Sequence, residues 1–224
     1  MKAKLSSLVA LACVGLMSGQ AHAQSAGSFV VRLGAGTIMP NVESGTLSAP
    51  SLPNTRVDIK KASQLVGGVT YMITDNWSID LPLGLPFKHE VVGAGAIDGV
   101  GTLATVKALP VTLVGQYRLG TASDKVRPYL GVGAVYAKYS DSKGTTALNA
   151  LTGGTPSTPT VMNMDNRAGA LAQIGVNVKV MGKWSVDLCV DKIQLKTTGH
   201  LSTGQNIDVK LNPTAVFAAV GYSF

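Results

Sequence analysis

The sequence ends, over residues 212–224, with the stretch NPTAVFAAVGYSF. Val216, Ala218, Val220, Tyr222 and Phe224 occupy alternate positions of this stretch, and all five are apolar or aromatic. Successive side chains of a β-strand point to opposite faces, so these five would share one face. Chain ends usually fray into water unless they are tied down. The pattern therefore predicts a final strand with one face against an apolar environment.

The same period-two alternation, rich in Val, Thr, Tyr and Ile, recurs in seven earlier segments and is typical of strands with two different faces. The clearest example is NWSIDLPLGLPF at residues 76–87, in which Pro82 and Pro86 share one face and disfavour a central strand of a soluble sheet. The predicted strands span residues 28–40, 63–74, 76–87, 109–119, 126–139, 167–180, 183–191 and 212–224.

The connections between these segments alternate in length. Short links are predicted at residues 74–76, 120–125 and 181–183. Long loops, rich in Gly, Ser, Thr, Pro and Asn, are predicted at about residues 41–62, 91–102, 142–163 and 197–206. Short turns at one end and long loops at the other indicate an antiparallel up-and-down sheet.

The two faces of the predicted strands differ in charge. One face carries Leu, Val, Ile, Ala and aromatic residues almost without interruption, whereas the other carries charged residues among many glycines. A soluble β-sandwich also alternates, but it would not place the charges inside. In hydrocarbon every backbone N–H and C=O needs a protein partner, which a closed barrel provides and an open sheet does not. The predicted fold is all-β, an eight-stranded antiparallel up-and-down transmembrane β-barrel whose last strand pairs with its first.

The beginning of the chain has the features of a secretory signal peptide. Lys2 and Lys4 precede an apolar run at residues 5–17, and Ala21-His22-Ala23 forms a cleavage site. The run is shorter than the roughly 20 residues of a transmembrane helix. We therefore expect residues 1–23 to be cleaved and residues 24–224 to form the barrel.

Composition narrows the function classes for residues 24–224. Their 17 Lys and Arg residues exceed their 12 Asp and Glu residues by five. The basic residues are scattered singly, which argues against a nucleic-acid partner, whereas attraction to an anionic lipid surface stays open. Cys189 has no second cysteine after cleavage, so no intramolecular disulfide is expected, and we interpret it as a small lumen-filling residue.

The inward face and the turn-side rim supply the candidate functional residues. The interior charges are interpreted as paired across the lumen, because unpaired charge in a confined space is costly. Aromatic residues near the short turns predict a girdle at the membrane interface. The predicted lumen-lining residues are Arg32, Val66, Met72, Asp80, Val114, Gln116, Arg118, Arg127 and Asp187, and the predicted girdle is Trp77, Tyr117, Trp184, Tyr222 and Phe224.

The sequence offers little support for catalysis or metal binding. Only His89 and His200 remain after residues 1–23, and no Ser, His and carboxylate arrangement is evident near one rim. His89 lies between Lys88 and Glu90 and is interpreted as a solvated surface histidine. We expect no enzymatic activity, no cofactor and no metal site.

Seven pieces of the sequence, in order, carry a resemblance to a known family. They are FVVRLGAGTIMP (29–40), TYMITDNWSIDL (70–81), PFKH (86–89), LPVTLVGQYRL (109–119), VRPYLGVGAVY (126–136), GKWSVDL (182–188) and GYSF (221–224). Together they resemble the OmpW family of Gram-negative outer-membrane proteins. The chain departs from the family pattern at LPV (109–111), where two prolines commonly follow the leucine, and at DNRAG (165–169), where an aromatic residue often precedes the glycine.

The resemblance implies an eight-stranded barrel with a narrow, partly hydrophobic interior that passes or binds small hydrophobic molecules. It also implies that Tyr222 and Phe224 form the assembly signal read by the outer-membrane insertion machinery. An eight-stranded barrel is just wide enough for side chains to fill, which disfavours a general diffusion pore.

Two functional hypotheses follow. The first is a passive conduit or binding site for small hydrophobic or amphipathic solutes that enter from the loop side. The alternative is a surface scaffold whose loops bind phage, toxins, host molecules or lipopolysaccharide. Under both hypotheses the expected surroundings are outer-membrane lipid and lipopolysaccharide.

Overall fold

The computed structural model describes residues 24–224, apart from the side chain of Asp141. The predicted signal peptide, residues 1–23, lies outside the described residues. Within residues 24–224 there are fourteen strands and one short helix. In chain order they are β1 (Phe29–Met39), β2 (Glu43–Ser44), β3 (Thr55–Ile59), β4 (Ala62–Met72), β5 (Trp77–Gly84), β6 (Phe87–Gly95), β7 (Thr102–Arg118), β8 (Val126–Gly144), α1 (Thr146–Thr152), β9 (Met162–Met164), β10 (Arg167–Met181), β11 (Trp184–Gln194), β12 (Lys196–Leu201), β13 (Asn206–Lys210) and β14 (Thr214–Ser223).

The barrel is closed by its first and last strands. β14 pairs antiparallel with β1 from Val30↔Ser223 to Met39↔Thr214. The full ring runs β1, β4, β5, β7, β8, β10, β11 and β14, with every neighbouring pair antiparallel. The predicted eight-stranded antiparallel barrel is confirmed.

Alternation along each strand sorts side chains between lipid and lumen. On β1, Leu33 is 69% exposed and the neighbouring Arg32 is 8% exposed. On β8, Val132 is 73% exposed whereas Tyr129 is 1% exposed. The outer surface is therefore a continuous apolar belt, and the polar groups lie inside.

Two of the eight barrel strands are each built from two pieces. The second strand consists of β3 and β4, which are separated at Lys60–Lys61, and the third consists of β5 and β6, which are separated at Leu85–Pro86. Proline has no N–H to donate to the sheet ladder, so a strand containing Pro82 and Pro86 is readily interrupted. The sequence predicted one uninterrupted strand over residues 76–87, and this prediction was wrong at Leu85–Pro86, where the strand is interrupted.

The long connections contain more regular structure than their composition predicts. A second sheet of order β2-β13-β12-β9 lies at the loop end, and α1 precedes β9. Thr145 caps α1 by accepting a hydrogen bond from the Leu148 N–H, and Gly153 ends it at a φ of 79°. The predicted loops at residues 41–62, 91–102, 142–163 and 197–206 are thus partly strand or helix. Pairings such as Glu43 with Lys210 join distant parts of the chain, and local turn composition does not encode them.

An apolar core joins the upper barrel to these loops. It combines barrel residues such as Val106 and Ile193 with loop residues such as Leu148, Met162 and Ile207. No helix among residues 24–224 is long and apolar enough to span a membrane.

Candidate functional site

A buried ionic cluster fills the turn-side half of the lumen. Arg32 lies between two carboxylates, with its Nη2 bonded to Asp80 and its Nη1 2.9 Å from Asp187 Oδ1. Thr70 donates to Asp80 Oδ1 at 2.6 Å, and Tyr129 donates to Asp187 Oδ1 at 2.9 Å. The guanidinium is thereby held by two carboxylates, from β5 and β11, which are themselves held by the hydroxyl groups of Thr70 on β4 and Tyr129 on β8.

A second polar layer lies next to this cluster and uses different partners. The Arg118 guanidinium lies 5.0 Å from the centre of the Tyr129 ring and donates to Gln116 Oε1 at 3.0 Å. Arg127 donates to the backbone carbonyl of Gln24 at 3.1 Å. The prediction of charges paired across the lumen is right for Arg32, Asp80 and Asp187 but wrong for Arg118. That side chain is held by an amide and an aromatic face rather than by a carboxylate.

All nine predicted lumen-lining side chains point inward. Their exposed fractions lie between 0% and 8%. The residues in question are Arg32, Val66, Met72, Asp80, Val114, Gln116, Arg118, Arg127 and Asp187. Together with Gln173 and Asn177, which are 5% and 1% exposed, the polar members form a plug across the barrel. Their packing argues against an open aqueous channel.

The five aromatic residues proposed as a girdle lie at the turn-side rim. The ring centres of Trp77 and Tyr117 are 4.9 Å apart, those of Trp184 and Tyr222 are 5.0 Å apart, and those of Tyr222 and Phe224 are 4.9 Å apart. Phe29 and Tyr71 form a further pair at 4.7 Å and were missed. Both occupy outward-facing positions at the turn-side ends of β1 and β4. Their alternation in the sequence and their closeness to the short turns would have identified them.

The loop-side edge of the apolar belt is marked by lysines. Lys88 and Lys107 lie opposite each other on β6 and β7, both with outward parity. Lys107 and Tyr117 are ten residues apart on β7, which corresponds to about 33 Å along the strand. If the strand is tilted by about 40° from the membrane normal, this distance is about 25 Å along the normal. This matches the roughly 25 Å apolar band of outer-membrane barrels.

Above the plug the barrel contains an apolar cavity of about 60 Å³, here called the upper cavity. It is lined from both the barrel and the loops. The lining residues are Ile38, Pro40, Ile59, His89, Val91, Val106, Ala108, Pro110, Val135, Ala137, Tyr139, Met164, Ile193, Leu195, Leu211 and Pro213. This volume is smaller than the roughly 300–1,000 Å³ of small-molecule sites, so a solute would bind only when side chains of the wall move apart.

His89 is a wall residue of the upper cavity, and the interpretation as a solvated surface histidine is wrong. The residue is 6% exposed, and its Nδ1 lies 2.9 Å from the carbonyl oxygen of Lys60. It pairs with Val106 and so lies on the loop side of the Lys88–Lys107 edge. Burial lowers the pKa of His89, and the hydrogen bond to Lys60 opposes that shift in part. Its alternation with Phe87 and Val91 was the overlooked signal of an inward position.

A second cavity, the side cavity, has a volume of about 60 Å³ and lies between the plug and one wall. Its lining includes Asp80 and Asp187 on the lumen side and Pro82, Gly84 and the outward-facing Leu83 in the wall. It shares Ile38, Pro110 and Ile193 with the upper cavity.

The barrel wall is interrupted beside the side cavity. β5 pairs with β7 only from Trp77↔Tyr117 to Asp80↔Val114, and β6 resumes the pairing at Phe87↔Ala108. Within the described chain, residues 81–86 therefore form no ladder with residues 109–113. Proline at positions 82, 86 and 110 contributes to this gap because it offers no N–H.

A third cavity, the mouth cavity, has a volume of about 50 Å³ and lies among the loops. Leu148, Met162 and Ile207 contribute to its apolar walls. Leu52 and Leu151 line it as well and are 67% and 36% exposed, so apolar surface continues from the outside into the loops.

A closed barrel with a lipid-facing apolar belt, an aromatic rim and a filled lumen defines a small outer-membrane β-barrel protein. The sequence model of the OmpW family matches residues 25–224. The chain therefore belongs to the OmpW family and resides in the outer membrane of a Gram-negative bacterium.

Individual relatives agree with this assignment. The chain is 34% identical to outer membrane protein W of Salmonella typhi over 221 residues. The aligned region covers 97% of this chain and 98% of the relative. Its structure is similar to the crystal structure of OprG from Pseudomonas aeruginosa, with a TM-score of 0.81, 26% identity and coverage of 91% and 98%. It is also similar to the solution structure of Escherichia coli outer membrane protein W, with a TM-score of 0.57, 29% identity and coverage of 89% and 99%.

Proposed function

We propose that this protein carries small hydrophobic or amphipathic solutes passively from the outer surface into the outer membrane. In this scheme a solute enters through the mouth cavity, binds in the upper cavity and leaves through the gap between β5 and β7. The observation that carries the proposal is the position of the apolar cavities. They end on a polar plug at one side and on an interrupted stretch of wall at the other.

The plug makes an axial route to the periplasm costly for an apolar solute. Passage would require separating Arg32 from Asp80 and Asp187, all of which are at most 8% exposed. Leaving a buried charge without its partner costs about 3–5 kcal/mol. An apolar solute gains about 25 cal/mol for each Å² that it buries, and it would lose this gain among charged side chains.

The gap provides a route of lower cost. Leu83 faces outward and is 53% exposed, yet it also lines the side cavity. A solute at this point passes from apolar side chains directly to lipid. Residues 81–84 pair with β4 but not with β7, and a backbone edge left unpaired at membrane depth is tolerated where it lines a cavity, as this edge does.

Filling the upper cavity tests the proposal. Ala137 is inward, 5% exposed and part of the cavity wall. In Ala137→Phe the added ring would occupy the space of a solute ring, so affinity for a hydrophobic solute should fall about tenfold or more, in line with the loss of about 1.5–3 kcal/mol of apolar burial. Ala134→Phe, on the lipid face of the same strand, is the matched control. Binding and uptake are measured in vesicles that contain the protein and in empty vesicles. Equal uptake by both kinds of vesicle would refute the proposal.

Narrowing the gap separates binding from release. Gly84 lines the side cavity, and a Cβ there would meet Val66 Cγ1 at 3.4 Å, an ordinary contact. Gly84→Leu should slow transfer of solute into the bilayer severalfold while affinity in the upper cavity is retained. Gly115→Leu, whose Cβ would approach only Val132 O at 3.8 Å on the lipid face, should behave as the parent does. Unchanged transfer in Gly84→Leu would contradict the lateral route.

The alternative role, a receptor surface on the loops, is supported by their folded character. The second sheet presents exposed side chains such as His200, Asp208 and Lys210 on a defined frame. Deleting residues 142–162 would not isolate this role, because Leu148 and Met162 also belong to the apolar core. The variant Ala137→Phe separates the two roles, because a partner that binds the loops would still bind when solute binding in the upper cavity is lost.

A further inference from the structure

The apolar wall of the upper cavity contains two polar side chains. His89 on β6 and Tyr139 on β8 flank β7, where they pair with Val106 and Ala108. The other lining residues are aliphatic, proline or methionine. Both polar groups therefore lie in the part of the barrel that an apolar solute would occupy.

The hydrogen bond to Lys60 determines how His89 presents itself. A carbonyl oxygen can only accept, so the Nδ1 that lies 2.9 Å from Lys60 O carries the proton. In the neutral imidazole Nε2 is then an acceptor. Among residues 24–224 no hydrogen bond to this Nε2 is formed. A buried histidine thus offers one oriented lone pair to an apolar cavity.

We infer that the upper cavity selects solutes that carry a hydroxyl group on an apolar body, as alcohols and phenols do, and that Nε2 of His89 accepts the hydrogen bond from that hydroxyl. The inference rests on the proposed function and names the class of solute for the same cavity.

The chemistry of the lone pair distinguishes solute classes. A hydrocarbon or an ether that fills the cavity would cover Nε2 without giving it a donor, and a buried acceptor left unpaired is costly. An ionised carboxylate has acceptors only, so it could accept from the Tyr139 hydroxyl but would face the His89 lone pair unfavourably. A hydroxyl supplies the one donor required. Sites built around such a hydrogen bond discriminate strongly against analogues that lack it.

The test uses two ligands that differ in this donor, 4-ethylphenol and its methyl ether, 4-ethylanisole. Each is titrated into the full-length mature protein in phospholipid vesicles, and binding is followed by calorimetry. The parent should prefer the phenol by about three- to tenfold, as expected for one net hydrogen bond. In His89→Leu the preference should disappear, chiefly through weaker binding of the phenol. In His89→Gln, whose amide reaches the position of Nε2, the preference should return in part.

Controls separate this inference from the proposed function and from misfolding. His200→Leu removes an exposed histidine of the outer sheet and should leave the preference unchanged. Heat-modifiable gel migration verifies that each variant forms a barrel. If parent and His89→Leu bind both ligands equally and Ala137→Phe weakens both, the cavity function stands and the role of His89 is refuted. If neither ligand binds the parent, both are refuted.

Discussion

Replacing Arg32 with methionine is expected to lower the free energy of unfolding by about 3–5 kcal/mol, the usual cost of removing one member of a buried ion pair. Asp80 and Asp187 would be left 0% and 3% exposed without their shared cation. Tyr129 and Thr70 donate to these carboxylates but cannot neutralise them. Urea unfolding of the protein in vesicles, followed by the fluorescence of Trp77 and Trp184, measures the change.

A matched control uses an ion pair on the surface. Arg167 Nη2 lies 2.7 Å from Asp165 Oδ2, but the two side chains are 51% and 37% exposed. Exposed pairs contribute about 0–1 kcal/mol, so Arg167→Met should have little effect. The triple variant Arg32→Met, Asp80→Asn and Asp187→Asn should recover part of the loss because it removes the buried charges as well. A loss in Arg32→Met no larger than that in Arg167→Met would show that the plug is not held by this cluster.

Replacing Phe224 with alanine is expected to reduce strongly the amount of barrel in the outer membrane of living cells, with little effect on the purified barrel. We propose, on the family resemblance, that Tyr222 and Phe224 form the signal read by the insertion machinery. In the folded protein the ring centres of Phe224 and Tyr222 are 4.9 Å apart, and Phe224 is 59% exposed. Its loss should therefore cost only about 0.5–1.5 kcal/mol of stability.

Phe29→Ala provides the comparison. Phe29 is also an exposed rim aromatic, 48% exposed and 4.7 Å from the ring of Tyr71, and it lies on the strand that closes the barrel with β14. The two variants should refold into vesicles with similar stability. Only Phe224→Ala should be depleted from the outer-membrane fraction of cells. Equal depletion of both would assign the effect to the aromatic rim and would argue against a terminal signal.

The sequence was most informative where the required signal is local. Alternation over residues 76–87 assigned Trp77, Ile79 and Leu81 to one face and Asp80 to the other, because side chains of a strand alternate regardless of the rest of the fold. The prolines of this stretch indicated weak strand pairing, but the sequence did not predict the interruption at Leu85–Pro86. The extent of the gap depends on where β7 resumes pairing with β6.

His89 shows how a local interpretation failed. Its charged neighbours Lys88 and Glu90 suggested a wet surface, yet in a strand the relevant neighbours are two residues away. Phe87 and Val91 are each 1% exposed, and His89 shares their face. The carbonyl of Lys60 that orients the imidazole belongs to another barrel strand, so the sequence contains no local sign of it.

The sequence by itself determined the closed barrel, its apolar exterior and its polar interior, because these follow from a period of two residues and from the need to satisfy backbone groups in hydrocarbon. Only the tertiary structure decided which charges meet, where the apolar cavities lie and where the wall is interrupted. Those features arise from contacts between positions far apart in the chain, such as Arg32 with Asp187 or Glu43 with Lys210. Strand register brings these residues together, and no local pattern in the sequence records that register.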